Sequence, residues 1–262
     1  MNKFLVYSLL ALSIACSSDD DTVNNGNDDQ QSNDDQQDNS DPQTYDITPI
    51  LSKFDNVPGL SYAIRGNVVE ITTDDLPNHG SPYWDQSHPM YEAYNGDNPD
   101  WRINPNMIET QNFTFTIPLN PEEATNKEAT SLGAMGVSVN GVVFYNQYAG
   151  PDNQPLTSEI NSFDQYLGHP DGGGRYHYHI EPTFLTNTLG KSGFLGLLAD
   201  GFPVYGPEEN GGPVTNEDLD EYHGHEGVTD DFPNGIYHYH ITSEAPYING
   251  NGFFGTPGNI SR

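Results

Sequence analysis

The sequence has a single cysteine among its 262 residues, Cys16. One cysteine can form no disulfide within the chain, and cysteine-based zinc sites need more than one thiolate. The fold must therefore be stable without covalent cross-links. Any metal ligands have to come mainly from histidine and carboxylate side chains.

Basic residues are scarce as well. Lysine and arginine total 8 against 38 aspartates and glutamates, which gives a formal net charge of −30. A surface this acidic repels phosphate groups, so we expect no nucleic-acid partner. The excess charge is interpreted mainly as a source of solubility, although it also attracts cations.

Several sequence patterns are missing. No stretch shows a sustained 3.6-residue apolar period, which argues against long amphipathic helices. There is no Gly-x-Ser-x-Gly elbow, phosphate loop or nucleophilic cysteine, so acyl and phosphoryl transfer have no visible nucleophile. Two glycosidase carboxylates cannot be selected from 38 acidic residues.

The N-terminus has the pattern of an export signal. Lys3 precedes an apolar run over 4–12, which is too short to span a bilayer. Residues 12–16 (Leu-Ser-Ile-Ala-Cys) resemble the lipobox of bacterial lipoproteins, with Ser13 as a departure. The resemblance implies a signal peptide over 1–15 and a lipidated Cys16 that holds the protein to the outer membrane.

Residues 16–44 are predicted to form an acidic, disordered linker. The segment is almost wholly polar and cannot bury enough apolar surface to offset its ordering entropy. Its first residues resemble the acidic tether that carries some bacterial lipoproteins to the outer cell surface. A single folded domain is expected over 45–262.

What is abundant favours β-structure. Tyrosine, phenylalanine, glycine and proline are plentiful, as in chains of short strands and turns. Residues 62–71 read as two strands around a Gly-Asn turn, and 113–117 alternate aromatic and polar groups. The prediction is an all-β fold, or nearly so.

An internal repeat is the most informative feature. Residues 174–180 (Gly-Arg-Tyr-His-Tyr-His-Ile) recur at 235–241, with Arg175 replaced by Ile236 as the only difference. A Gly-His element and an Asn-Gly or Asp-Gly element lie upstream of each copy, and the three offsets are 61, 56 and 60 residues. This spacing predicts a tandem duplication over about 131–190 and 191–250.

Each repeated block predicts a local structure. Asn140-Gly141 and Asp200-Gly201 lie between apolar runs, the strongest short signal for a hairpin. The Tyr-His-Tyr-His blocks are predicted to be strands with tyrosine on one face and histidine on the other. The two units are expected to pack about a pseudo-twofold axis as a sandwich or barrel.

The histidines point to a transition-metal site. Two histidines at i and i+2 on a strand can share an ion, and imidazole suits zinc and copper. The candidate ligands are the two motif pairs, the two Gly-His residues and one histidine outside the repeats: His177, His179, His238, His240, His169, His225 and His79. The alternative is a packing motif in which these groups form buried hydrogen-bond networks.

The two repeats lead to a specific geometric prediction. If the histidine strands pack beside the pseudo-twofold axis, the six repeat imidazoles converge on one cleft. Asp164 and Asp220 are candidates to orient the imidazoles, and capping a turn is the other interpretation. His223, whose counterpart is Leu167, is expected to be a surface residue.

The chain resembles a known family. The doubled Tyr-His-Tyr-His, the segment 200–206 and Gly224-His225 are similar to the YHYH-domain family of bacterial secreted proteins. Residues 76–79 (Leu-Pro-Asn-His) resemble an early element of that family, which is why His79 is a candidate. The resemblance covers about 62–255 and implies no particular activity.

Three functions are consistent with the sequence. The first is a cell-surface lipoprotein that binds copper or zinc through its histidines. The second is a metal-dependent hydrolase or oxidase that uses the same site. The third is a carbohydrate-binding module with structural histidines, and the sequence identifies neither a glycan nor a small-molecule partner.

Overall fold

A computed structural model describes residues 43–262, and most of the regular structure in this range is β-strand. The prediction of an all-β fold, or nearly so, is confirmed for this part of the chain. The predicted signal peptide, Cys16 and almost all of the predicted linker lie outside the described residues. No helix among the described residues is long and apolar enough to cross a membrane.

The smaller sheet contains four antiparallel strands. In spatial order they are β1 (Leu60–Arg65), β2 (Val68–Thr73), β3 (Phe113–Pro118) and β16 (Asn259–Ser261). The predicted turn at Gly66-Asn67 joins the first two strands. In the third strand Phe113, Phe115 and Ile117 are buried, because alternate side chains of a strand point to one face.

The larger sheet contains eight strands, four from each repeat. The first repeat contributes β4 (Ala134–Ser138), β5 (Val143–Tyr145), β8 (Gly168–Pro170) and β9 (Tyr176–Tyr178). The second repeat contributes β10 (Phe194–Leu198), β11 (Pro203–Tyr205), β14 (Gly224–Gly227) and β15 (Ile236–His240). The spatial order is β14-β15-β11-β10-β4-β5-β9-β8.

Short elements connect these strands. The two-stranded ribbons β6–β7 (Tyr148–Ala149, Gln154–Pro155) and β12–β13 (Glu208–Glu209, Gly212–Pro213) occupy corresponding positions in the two repeats. An α-helix, α1 (Thr183–Leu189), lies at the end of the first repeat, between β9 and β10. Three 3₁₀ helices span Thr48–Phe54, Glu159–Ser162 and Asn216–Asp218.

The strand order is palindromic about the pair β4–β10, which identifies a local twofold axis. These strands are antiparallel, with Val137 opposite Leu197 and with Gly136–Leu198 and Ser138–Gly196 on either side. Val137 and Leu197 are equivalent positions 60 residues apart, so the register itself is symmetric. The predicted pseudo-twofold arrangement therefore exists within one sheet.

Both predicted hairpins are present. Gly141 and Gly201 have φ values of +88° and +89°, a left-handed conformation that favours glycine. Their amides donate to the carbonyls of Ser138 and Leu198, at 2.9 and 3.0 Å. The chain then crosses over and returns, so that β9 pairs in parallel with β5, and β15 with β11.

The larger sheet is open among residues 43–262, since β8 and β14 end the order and do not pair with each other. The barrel alternative is therefore wrong for these residues. Residues from both sheets share one buried cluster that includes Ile71, Phe115, Phe144 and Val204. Their arrangement as a sandwich stays a prediction.

The motif tyrosines are buried and their hydroxyls are hydrogen-bonded to the turns. Tyr176 donates to Asp164 at 2.8 Å and Tyr237 donates to Asp220 at 2.9 Å. Tyr239 donates to Asp200 at 2.6 Å, and the Asn140 amide donates to the fourth hydroxyl, that of Tyr178, at 3.2 Å. Each motif strand is thus held through one face, as the predicted alternation requires.

We predict that Tyr239→Phe lowers the free energy of unfolding by about 1–3 kcal/mol, because the buried Asp200 carboxylate loses a donor. Chemical denaturation at neutral pH measures this loss. The control is Tyr91→Phe, whose side chain is 37% exposed and should cost little. Equal effects of the two substitutions would contradict the anchoring role.

Candidate metal centres

The first centre forms where β8 and β9 pair. His169 lies directly opposite His177 in the antiparallel register, and cross-strand partners share a face. His179 lies two residues further along and therefore projects from the same face. The Nε2 atoms of His177 and His179 are 3.0 Å apart, and all three imidazoles are almost fully buried.

The glycine of each Gly-His element has a steric role on the opposite face. A Cβ atom at Gly168 would lie 2.5 Å from the Tyr176 ring, and one at Gly224 would lie 2.5 Å from the Tyr237 ring. Only glycine lets the tyrosine ring pack against the backbone there. The element therefore combines room for tyrosine on one face with a histidine on the other.

The second centre repeats this geometry. His225 lies opposite His238 in the β14–β15 register, and their Nε2 atoms are 3.1 Å apart. His240 lies two residues further along on the same face. His238 and His240 are buried, whereas the side chain of His225 is 25% exposed.

A glutamate completes each centre. The Glu159 carboxylate lies 3.2 Å from His169 Nε2, and the Glu209 carboxylate lies 3.4 Å from His238 Nε2. One ligand atom from each of the four residues lies within 4.8 Å of the other three in both centres. Ligand atoms 2.0–2.1 Å from a tetrahedral ion are about 3.3 Å apart, so both groups are close to the spacing of a metal site.

Neither glutamate was predicted from the sequence. Glu159 comes from a 3₁₀ helix, whereas Glu209 comes from the strand β12. They precede the Gly-His histidine by 10 and 16 residues, so the repeat does not align them. No local signal distinguishes them among 38 acidic residues.

Hydrogen bonds fix the imidazole orientation. The Nδ1 atoms of His177, His179, His238 and His240 lie at backbone carbonyls. His169 Nδ1 lies 2.7 Å from the Ser162 hydroxyl and 3.3 Å from the Asn104 amide nitrogen, which can only donate. In the four motif imidazoles, whose Nδ1 atoms lie at carbonyls, the proton is therefore on Nδ1 and the Nε2 lone pair faces the centre.

This arrangement leaves lone pairs facing each other. Nε2 of His177 and Nε2 of His179 are both acceptors at 3.0 Å, which is repulsive unless a cation lies between them. Nε2 of His169 and of His240 are buried without a hydrogen-bond partner among the described residues. Buried polar atoms are normally paired. A ligand in the centre would supply the partner that His240 Nε2 lacks, and it would lie beside His169 Nε2 and the Glu159 carboxylate 3.2 Å from it.

Burial favours the neutral form of the four motif histidines, because it lowers the pKa of each. Burial, with a smaller contribution from neighbouring imidazoles, lowers the pKa of His177 well below its usual value. It lowers the pKa of His179 to about 4 and that of His240 to about 3. Burial alone would raise the pKa of Glu159, but its contacts with His169 and His179 lower it overall. Neutral imidazole and ionised carboxylate are the forms that bind metal ions.

Each centre opens onto a cleft. The first cleft, about 580 Å³, is lined by Glu159, His177 and His179 of the first centre. The second cleft, about 400 Å³, is lined by Glu209, His238 and His240 of the second centre. Both volumes are within the usual range of small-molecule sites.

The remaining candidates lie away from the centres. Both ring nitrogens of His79 are used, at the Gly80 carbonyl and at the Tyr178 hydroxyl, and His79 belongs to neither group. Asp164 and Asp220 accept hydrogen bonds from tyrosine hydroxyls and from amides of their own turns, in line with the turn-capping interpretation.

His223 is not a surface residue. It is 2% exposed, and its Nε2 contacts Asn216 and Thr242. Its φ of +75° corresponds to the +64° of Leu167, so the two residues fill the same left-handed position of the two turns. The expectation failed because turn geometry and local packing bury this side chain.

The predicted single cleft is also wrong. The six repeat imidazoles form two groups of three, one beside each end of the larger sheet. The twofold axis passes between β4 and β10, so β9 and β15 are five strand spacings apart, roughly 24 Å measured along the sheet. The expectation placed the histidine strands beside the axis, whereas the parallel crossovers place them on the outer side of each hairpin.

Comparison with known families agrees with these repeats. The family described as YHYH protein matches residues 114–213 and 208–252, which is more than half of the chain. The chain belongs to the YHYH family. The YHYH match includes the three histidines of each centre, and it confirms the resemblance noted in the sequence. No curated protein and no solved structure matches the chain.

We predict a pH effect on the metal-free protein. His179 has a pKa of about 4 when folded, against an ordinary 6.5. Its neutral state therefore contributes stability that is present above about 6.5 and lost as the pH falls through about 4. Between these values, wild type should lose more of its free energy of unfolding than His179→Gln.

Denaturation in the presence of a chelator, across this pH range, measures the difference. The buried carboxyls Asp164 and Asp200, whose pKa values burial raises to about 6, titrate in both proteins and cancel. A difference between the two proteins that does not change with pH would contradict the prediction.

Proposed function

We propose that the protein binds two transition-metal ions, one at each centre. The observation that carries this proposal is the pairing of the His177 and His179 Nε2 lone pairs at 3.0 Å, with both Nδ1 atoms at backbone carbonyls. The second centre repeats the same set of side chains, with Nε2 of His225 and of His238 3.1 Å apart. A proton between the two nitrogens would also relieve the repulsion. Burial opposes that protonation, so a metal ion is the better cation.

The ligand set favours a divalent ion. Each centre offers three imidazoles and one carboxylate and no sulfur ligand. Copper(I) prefers thiolate and thioether ligands, whereas imidazole and carboxylate together suit zinc and also accept copper(II). Zinc or copper(II) is therefore the proposed ion.

A metal-dependent enzyme is a second candidate, since both centres open onto clefts of ligand size. A metal ion held by such residues can activate water or polarise a carbonyl group. The carbohydrate-binding alternative has less support. The motif tyrosines are buried, Trp84 stacks on His88, and Trp101 stacks on Tyr94.

We also propose that the protein acts at the cell surface. The support is the signal peptide, the lipobox-like segment ending at Cys16 and the acidic residues that follow it. In this proposal the lipid on Cys16 attaches the protein to the outer membrane, and the linker lets the domain reach away from it.

We predict that the untagged protein carries two metal ions per chain. Replacing His177 and His179 together, or His238 and His240 together, should reduce this to one ion, and replacing all four should remove both. Elemental analysis after dialysis measures the stoichiometry. The control is His88→Ala, an exposed histidine outside both groups. Loss of both ions from either double variant would instead indicate one shared site.

We predict that Cys16→Ala releases the protein from the membrane fraction or blocks signal processing, because lipidation needs this thiol. Cell fractionation and the intact mass measure the effect, with Ser17→Ala as the matched control. Unchanged attachment and unchanged mass in the Cys16 variant would contradict a lipid anchor there. Protease treatment of intact cells tests exposure at the surface.

A further inference from the structure

The two clefts share an arrangement beside the histidines. In the first cleft, Tyr145 stacks on His177 with 3.8 Å between ring centroids, and its hydroxyl donates to Asp171 at 3.0 Å. In the second cleft, the equivalent Tyr205 lies beside His238 and donates to Asp231, also at 3.0 Å. The two tyrosines are 60 residues apart, and so are the two aspartates, so both pairs come from equivalent positions of the repeats.

A basic side chain contacts the aspartate of each pair, but the two basic residues come from different parts of the chain. Arg175 Nε contacts Asp171 at 2.6 Å, whereas Lys53 Nζ contacts Asp231 at 2.9 Å. Position 175 is the single difference between the two seven-residue motifs, and its counterpart Ile236 is fully buried. The motif itself therefore supplies a cation in the first cleft, whereas the cation of the second cleft comes from outside the repeats.

The charge balance separates the two clefts. Two arginines and three carboxylates line the first cleft, whereas one lysine and four carboxylates line the second. Summed over these side chains alone, a divalent ion at each centre would give the first cleft a net charge of +1 and the second a net charge of −1. In a chain with only 8 basic residues, the first cleft is an unusual place for two of them.

Arg175 has donors available in this cleft. Its Nε is used by Asp171, and among residues 43–262 no protein acceptor is found for its two Nη groups. A guanidinium with free Nη groups can bind a carboxylate through parallel hydrogen bonds. Arg262 lies on the same cleft, with its guanidinium 6.0 Å from the Phe113 ring.

Part of the wall of the first cleft is apolar. Its lining includes Phe113, Leu132, Met135, Phe253 and Ile260. Leu132 is 43% exposed and offers apolar surface that the fold does not use. Such a wall beside a cationic group is suited to a ligand with an apolar body and one anionic end.

We propose that the first cleft, and not the second, binds a small organic carboxylate. The carboxylate lies between the Arg175 guanidinium and the first centre, and the apolar body of the ligand packs on Leu132 and Ile260. This inference rests on the proposed metal binding, because without a divalent ion the three carboxylates of the cleft exceed its two arginines.

The test uses the full chain loaded with two zinc ions and 3-phenylpropionate as the probe. Isothermal titration calorimetry should give one bound probe per chain. Acetate should bind more weakly because it lacks the apolar body, and 3-phenylpropionamide more weakly because it lacks the charge. Replacing zinc with cobalt(II) should give a visible spectrum that changes when the probe binds beside the ion.

Two variants locate the site. Arg175→Gln should weaken probe binding at least about tenfold while keeping two zinc ions, and Arg65→Gln is its exposed, surface-paired control. Leu132→Asp should weaken it similarly through charge repulsion, at an exposed position whose replacement spares the core. If Arg175→Gln does not fold, Leu132→Asp still tests whether the probe binds in the first cleft.

The outcomes are distinguishable. Two bound zinc ions without probe binding, or binding that both variants leave unchanged, would overturn this inference alone. Two bound probes per chain would overturn the selectivity for the first cleft. A protein that binds no zinc would overturn the proposed function and this inference with it.

Discussion

The structure depends on the alternation of tyrosine and histidine along two short strands. A strand sends neighbouring side chains to opposite faces, so one face of β9 and of β15 can be anchored while the other remains available. The anchors are tyrosine hydroxyls hydrogen-bonded to buried turn residues such as Asp164 and Asp200. Because those rings are fixed, the imidazoles on the other face have fixed directions without any cross-link.

The centres combine a repeated framework with residues that are not repeated. Histidines, tyrosines and the aspartates beside them come from equivalent positions of the two units. The glutamate of each centre and the cation of each cleft do not. Glu159 and Glu209 lie on different elements, and Arg175 and Lys53 lie far apart in sequence. Duplication thus supplies the rigid geometry, and unrelated loops give each copy its own charge and cleft shape.

Much of the fold could be predicted because its signals are local. Turn glycines such as Gly141 and strand alternation in 176–179 need no knowledge of distant residues. The Gly-His element could be assigned to each unit by spacing, although its steric reason, the Tyr176 ring against Gly168, appears only in the folded chain.

The prediction of a single histidine cleft was wrong because it depended on the strand order. The direction in which β9 returns to β5 decides whether the histidine pairs meet at the axis or lie at the outer ends of the sheet. No pattern within the repeats encodes that choice. Glu159 and Glu209 could not be predicted for a related reason, because a candidate ligand supplied by a separate element has no fixed spacing from the histidines.

The central strand pair has a consequence for a single unit. Val137 and Leu197 occupy the same position of their repeats, so β4 and β10 meet in a register that would be unchanged if both strands had the same sequence. One unit alone would present this strand as a bare edge, and two identical units could join through it isologously, each contact made twice. The present chain is therefore equivalent to such a homodimer linked through one connection. That linkage frees the two halves from having to be identical.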